Sequence, residues 1–233
     1  MQLPYFYEPT INASNALFTL SEETSKHCIQ VLRMKADEQL QLTDGKGSLF
    51  TASIVQPDKK HCTVNITETS NFKPPTLKLS IAISLLKNTT RFEWFLEKAT
   101  EIGISEIVPL ICKRTERQHF RYDRMNNILV AAMLQSRQTY LPVMPEPIAF
   151  ADIFKTANHE TKLIAHCEED KKTAIKQLDL SNNIQILIGP EGDFTPDEIQ
   201  LALAQNYQPV TLGNTRLRTE TAGIVATTLL MNH

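Results

Sequence analysis

The sequence predicts an α/β protein: a mostly parallel sheet flanked by helices, preceded by a small, mostly-β unit. Three observations lead there. After residue 76, short apolar strand candidates alternate with helical patterns, as in a parallel sheet covered on both faces. Before residue 72 the apolar runs are short and alternating, with one helical stretch. Four of the seven glycines (Gly189, Gly192, Gly213, Gly223) lie between Ile184 and Met231, where two strand–loop–helix units follow one another.

In residues 1–72 the helical pattern covers Ser21 to Leu32. Alternating runs cover Gln39 to Thr43, Leu49 to Val55 and Thr63 to Thr67. Asp44-Gly-Lys-Gly47 between two of them is a hairpin-turn signal. It is not a dinucleotide-binding fingerprint, because the third glycine is absent and a strand follows. The only Pro-Pro pair, Pro74-Pro75, marks a boundary between a domain at 1–72 and one at 76–233.

In the second domain the strand candidates are Leu79 to Leu86, Glu106 to Ile111, Lys162 to Cys167, Ile184 to Ile188 and Pro209 to Leu212. Helices are expected over Thr90 to Ile102, Tyr122 to Gln138, Lys171 to Leu178, Pro196 to Asn206 and Thr219 to Met231. Phe92, Phe95, Leu96, Ala99 and Ile102 form an apolar stripe at helical spacing and read as core. The helix over Tyr122 to Gln138 is apolar around Ile128 to Leu134, which suits packing on the sheet or a dimer contact.

The two glycine-bearing loops carry the functional signal. Thr195-Pro-Asp-Glu198 is a capping box with proline at the first helical position, so a helix starts at Pro196 after a short loop. The second loop places Arg216 and Arg218 two residues apart, on one side of an extended segment. Thr219 is expected to cap the last helix. A cation at Arg218, beside that helix's N-terminus, is electrostatically disfavoured, so something other than helix stability should keep it there. Loops at the carboxyl ends of neighbouring parallel strands form a ligand crevice in open α/β sheets. Without a family match, these glycines read better as tight βα turns than as a ligand site.

Ile188-Gly-Pro-Glu-Gly192 with Phe194 and Glu198, then Leu212-Gly213 and Arg216-Leu-Arg-Thr-Glu-Thr-Ala222, resembles the SPOUT methyltransferases. It is most similar to the bacterial family that methylates N3 of a uridine in small-subunit (16S) ribosomal RNA. Trp94 to Ile104, Gln135-Ser136 with Pro142, and His27 to Arg33 with Asp44-Gly-Lys-Gly47 extend the match over most of the chain. The resemblance implies a trefoil-knotted methyltransferase domain after a PUA-like RNA-binding domain. It implies S-adenosylmethionine as cofactor, a ribosomal RNA or small-subunit substrate, and a homodimer. Cofactor binding is implied for Leu187, Ile188, Gly189, Glu191, Gly192, Leu212, Gly213, Leu217 and Arg218.

Uridine N3 carries a proton, so a base must take it or a cation must stabilise the resulting anion. Arg218 suits the second role, and Glu191 and Glu220 are candidate bases; Glu220 reads also as a helix-start carboxylate. Three departures from the family pattern stand out. Asp193 replaces a glycine, Leu134 and Gln138 replace a Glu and an Arg, and Leu3-Pro4-Tyr5 lacks an expected Arg. The first leaves open an alternative, an RNA-binding ribosome assembly factor of the same fold without catalysis. A methyltransferase for another RNA is a further one.

With 42% hydrophobic and 21% charged residues and a net charge of −2, the composition is that of an ordinary globular protein and not of a generic polyanion binder. Charge is uneven, +3 over residues 76–150 and −4 beyond. Lys113 to Arg124 holds five cations with Phe120 and Tyr122 interleaved, which fits phosphate contact and base stacking as well as it fits a solvated surface. Arg114, Arg117, Arg121 and Arg124, with Arg33 and Arg216, are the RNA-binding candidates. The four cysteines are far apart and read as reduced, mostly buried thiols; no metal site is expected. No phosphate-binding loop, apolar span or signal peptide is evident, so a cytoplasmic protein without membrane contact is expected.

Overall fold

The computed structural model describes residues 2–12, 16–116, 118–168 and 172–232. It divides into two compact units: Met1–Pro74 with Met133–Leu141, and Pro75–Ala132 with Pro142–His233.

The first unit contains β1 (Tyr5–Tyr7), β2 (Leu17–Thr19), α1 (Glu22–Lys26), β3 (Gln39–Thr43), β4 (Ser48–Gln56) and β5 (Thr63–Asn71). They form a five-stranded sheet in the order β1-β3-β4-β5-β2. β1 runs parallel to β3 and the other pairings are antiparallel. The helical stretch is shorter than its pattern suggests: α1 passes directly into a π turn over His27–Val31. The Ser21 side chain caps α1 by accepting from the Thr24 amide. At the β3–β4 turn Asp44 Oδ1 accepts from the amides of Lys46 and Ser48, at 2.7 and 3.0 Å. Leu40, Leu42, Phe50, Ile54 and Val64 alternate inward to form the core. Met133–Leu141, which the sequence pattern left in the second domain, joins this unit through its backbone: Gly47 N donates to Thr139 O and Leu141 N to Gly45 O.

The second unit contains β6 (Lys78–Ser84), α2 (Thr89–Ile102), β7 (Glu106–Ile111), α3 (Tyr122–Gln135, its last turn in the first unit), β8 (Ile148–Ala149), α4 (Ile153–Thr156), β9 (Thr161–Ala165), β10 (Thr173–Ala174), β11 (Asn183–Ile188), α5 (Pro196–Ala204), β12 (Gln208–Thr211) and α6 (Thr219–Met231). Seven strands lie in the order β10-β12-β9-β11-β6-β7-β8. Every pairing is parallel. Continuous apolar runs such as Ile186-Leu-Ile188 suit strands buried on both faces. The one polar break in β11, Gln185, is buried and satisfied: it accepts from Tyr207 Oη at 2.5 Å and donates to Ser80 Oγ at 3.2 Å.

Helix boundaries follow their capping chemistry. Asn88 caps α2 and Gly103 ends it with a left-handed backbone. The capping box of α5 is present in both directions, Thr195 with Glu198. Two expectations fail. The helix over Lys171 to Leu178 is absent from the described part of that stretch: Thr173–Ala174 pairs with Val210–Thr211 as β10, and a 3-10 turn follows. Sheet pairing overrides a weak local helical preference there. And α6 begins with Arg218 at its N-cap, without a side-chain cap, so Thr219 is its first residue.

α6 starts beyond β12, at one side of the sheet, and returns to pack on α2, β6 and β11. Gly223 makes this possible. A Cβ there would stand 2.5 Å from Phe95 Cε2 and 3.0 Å from Ile83 Cδ1. Among the described residues, no helix is long and apolar enough to cross a membrane.

Gly223→Ala weighs two opposed effects. Alanine improves helix propensity by about 1 kcal/mol, whereas forcing a methyl into a filled contact costs about 1–3 kcal/mol. Both neighbours are buried, so the clash should dominate and lower the urea midpoint. A raised midpoint would show slack between α6 and α2.

Candidate functional site

The carboxyl ends of β9, β11 and β12 face one edge of the sheet, and the segments after them enclose a cleft of roughly 640 Å³. The loops after β11 and β12 were expected on neighbouring strands. Instead β9 lies between them, so a third segment, with Ala165, His166, Cys167 and Lys172, supplies another wall.

The β11 loop is held closed from several sides. A Cβ on Gly189 would sit 3.1 Å from the Phe194 amide nitrogen, so the chain doubles back with little room. Asp193 has φ 64°, in the left-handed region. Its Oδ1 accepts from the Phe194 amide at 2.9 Å and its Oδ2 from the Cys167 amide, on the β9 segment, at 2.7 Å. The backbone conformation costs roughly 1–2 kcal/mol for a residue with a Cβ. An amide donating to a charged acceptor returns about 1.5–3 kcal/mol, less where solvent reaches it. The balance favours the loop as built. Arg114 Nη1 donates to the carbonyls of Gly192 and Phe194, at 2.7 and 3.3 Å. Arg114, expected to contact phosphate, thus braces this loop. Glu191 is exposed, lines the cleft, and accepts from the Lys87 amide at 3.2 Å.

In the β12 loop, Gly213 has φ +151°, and a Cβ there would meet nothing within 4 Å; the space beside it is open cleft. Thr211 Oγ1 fixes the turn by donating to Gly213 O at 2.8 Å. Arg216, Leu217 and Arg218 follow along the cleft. Both guanidinium groups are exposed, and neither has a hydrogen-bond or ion-pair partner among the described residues.

Of the cofactor-binding candidates, Ile188, Gly189, Glu191, Leu212, Gly213, Leu217 and Arg218 line the cleft. Leu187 and Gly192 do not: Leu187 is in the core and Gly192 faces the Arg114 side chain. Glu220 is also elsewhere. It is 7% exposed and borders a separate hollow with Asn88, Thr90, Arg91 and Trp94. Its Oε1 lies 3.7 Å from Arg91 Nε, while Oε2 is buried without a hydrogen-bond partner. In the first turn of α6 this carboxylate complements the helix dipole.

The RNA-binding candidates are similarly sorted. Arg124 is taken up by Glu93 in a two-point pair, 2.6 and 2.9 Å. Arg121 is exposed and has no side-chain partner among the described residues. Arg117 lies outside the described residues. Arg33 is exposed in the first unit with φ 56°. Phe120 is turned toward Phe92, edge to face, and so is partly committed to packing. Cys28 and Cys112 are buried, which pushes their thiols up to about 12, whereas Cys167 is exposed at the cleft. Among the described residues no group of three or more His, Cys, Asp or Glu could hold a metal ion.

Sequence reasoning missed the β9 segment, including Asp193's tie to it. The strand itself was visible; its place between β11 and β12 is a property of pairing that no local pattern encodes.

Comparison with known proteins places this geometry. A family model described as an RNA methyltransferase domain matches residues 73–231, and one described as an RNA methyltransferase PUA domain matches residues 20–67. The ribosomal RNA small subunit methyltransferase E of Rickettsia conorii is 31% identical over 221 residues, covering 92% of this chain and 89% of that protein. The crystal structure of a probable rRNA-methyltransferase from Porphyromonas gingivalis superimposes with a TM-score of 0.91 at 37% identity, covering 99% and 98% of the two chains. A putative methyltransferase from Legionella pneumophila, in complex with the bound cofactor SAM (S-adenosylmethionine), gives 0.88 at 30% identity, covering 100% and 98%. With the catalytic-domain model spanning residues 73–231 and the relatives matching nearly end to end, the chain belongs to the RNA methyltransferase family.

Proposed function

We propose that the protein transfers a methyl group from S-adenosylmethionine to N3 of a uridine in small-subunit ribosomal RNA. The observation that carries this reading is the cleft at the β9, β11 and β12 ends, bordered by two arginines without partners among the described residues. A volume of roughly 640 Å³ is of the size that holds a nucleoside-sized ligand. Ile188 and Leu217 offer apolar surface for a purine, the backbone at Gly189, Leu212 and Gly213 offers polar groups, and Glu191 offers negative charge toward a cation. The residues present therefore fit the cofactor.

When bound, the cofactor supplies an electrophilic methyl group; everything else is positioning and proton handling by the chain. Arg218, which lines the cleft, is the proposed stabiliser of the uracil ring once N3 has lost its proton. Glu191, at the same cleft, is the proposed proton acceptor. Glu220, outside the cleft, is assigned a role in α6 and not in proton transfer. Arg216 and Arg121 are the proposed phosphate contacts, the first unit the RNA-binding module, and the cytoplasm the place of action.

A homodimer is proposed as well. The helix pattern over Tyr122 to Gln138 suggested α3 as the contact. The structure favours α6, which carries no charge after Glu220 and leaves Ile224, Val225 and Leu229 only half-buried. Half-buried apolar side chains on a helix without charge beyond its first turn suit burial in an assembly. Sedimentation at micromolar concentration should give a dimer mass, and a stable, fully active monomer would contradict the proposal.

For RNA affinity, replacing Arg121 and Arg216 by alanine should flatten the salt dependence of binding by up to about two units of log–log slope. An unchanged slope would remove both from the interface.

Arg218→Ala should leave cofactor affinity nearly unchanged and slow single-turnover methylation at saturating RNA by roughly 10²–10³-fold. Arg218→Lys should recover only part of that, because a point charge does not reproduce the planar fork. A wild-type rate for Arg218→Ala would move anion stabilisation to another residue.

A further inference from the structure

The β9 and β11 segments are tied together by one side chain. Asp193 borders the cleft, and its carboxylate bridges amides of two different segments, Phe194 on its own loop and Cys167 on the other. The Asp193 amide donates to Pro190 O at 2.9 Å, so the residue is fixed within its turn before it reaches across. Lys172 shapes the other end of the same wall, donating from Nζ to the carbonyls of His166 at 2.7 Å and Glu168 at 2.5 Å.

The backbone alone does not ask for this residue. At φ 64° a glycine would sit without the penalty that a Cβ brings. What aspartate adds is the tie, and the tie lands one residue after His166, whose side of the chain forms the third wall of the cleft. A carboxylate accepting a backbone amide is among the stronger hydrogen bonds available to a loop. A segment held in its bound form before the ligand arrives spares the ligand the cost of ordering it.

We propose that Asp193 is a positioning residue for S-adenosylmethionine, acting through the β9 segment by holding Ala165–Cys167 against the β11 loop. This rests on the function proposed above.

The protein carries its own probe. Cys167 is exposed, whereas Cys28, Cys62 and Cys112 are buried, so thiol alkylation of the folded protein reads the β9 segment. Asp193→Gly should fold with a urea midpoint close to that of the wild type, since relief of the left-handed backbone cost largely offsets the lost hydrogen bonds. It should bind S-adenosylmethionine about tenfold more weakly, the scale of one lost charged hydrogen bond. In the ligand-free protein its Cys167 should be alkylated several-fold faster than in the wild type. Asp193→Asn keeps one acceptor oxygen and should be intermediate in both. A residue of merely structural importance would lower the midpoint together with affinity.

An Asp193→Gly affinity within twofold of the wild type would overturn the inference. Weaker binding with unchanged alkylation would overturn it too, because the carboxylate would then act on the ligand directly. If the wild-type protein itself fails to bind S-adenosylmethionine, the proposed function falls and Asp193 loses the ligand it is said to position. Alkylation of the ligand-free proteins would still show whether the tie exists.

Discussion

The contact at Gly223 is the constraint on which the second unit depends. β12 is separated from β6 by two strands, β9 and β11, yet α6, which follows it, packs on β6 and α2. That return is possible only where helix and sheet approach within a side chain's thickness, and the absent Cβ at Gly223 leaves room for Phe95 and Ile83. With α6 docked there, its N-terminus is fixed, and the stretch from Leu212 to Arg218 must span from the end of β12 to that point. The arginines are therefore delivered to the cleft by helix packing, not by the loop's own preferences.

The β11 loop shows a different economy. Where the family pattern has glycine, Asp193 takes a left-handed turn and anchors it with two amide hydrogen bonds. Arg114 closes the other side through the carbonyls of Gly192 and Phe194. The departure therefore does not distort the loop. It replaces backbone freedom with side-chain ties, which removes the physical ground for treating Asp193 as the mark of a cleft that has lost its ligand.

Much of this was legible in the sequence, for reasons that differ by element. Glu106–Ile111 reads as a strand and α5 as a helix because their signals are local: a continuous apolar run, and a capping box with proline. β1, β2, β8 and β10 were not legible, since strands of two or three residues owe their existence to a partner far away in sequence. The expected helix at Lys171 to Leu178 failed for the same reason, with β12 claiming Thr173–Ala174. At the site, glycine pairs and residue spacing located two walls of the cleft. Charge alone could not say which arginines were committed. Arg124 had Glu93 within reach and Arg114 had two carbonyls, while Arg216 and Arg218 had neither.

That last distinction matters more for function than net charge does. At physiological ionic strength the Debye length is about 8 Å, so a formal charge of −2 spread over 233 residues says little about a polyanion arriving at one cleft. What an anion approaching this cleft would meet is the local pair, Arg216 and Arg218, beside the positive end of α6. A cation at a helix N-terminus costs roughly 0.3–1 kcal/mol in the free protein. An anion between them converts that repulsion into two attractions, toward the guanidinium and toward the helix. Glu220 complements the helix end from its other side, turned toward Arg91 and away from the cleft, and leaves the two guanidinium groups unpaired among the described residues. The free protein thus keeps an exposed cationic pair beside a wall carrying Glu191, the arrangement that the proposed function asks of a cleft serving a cationic cofactor and a substrate that becomes anionic.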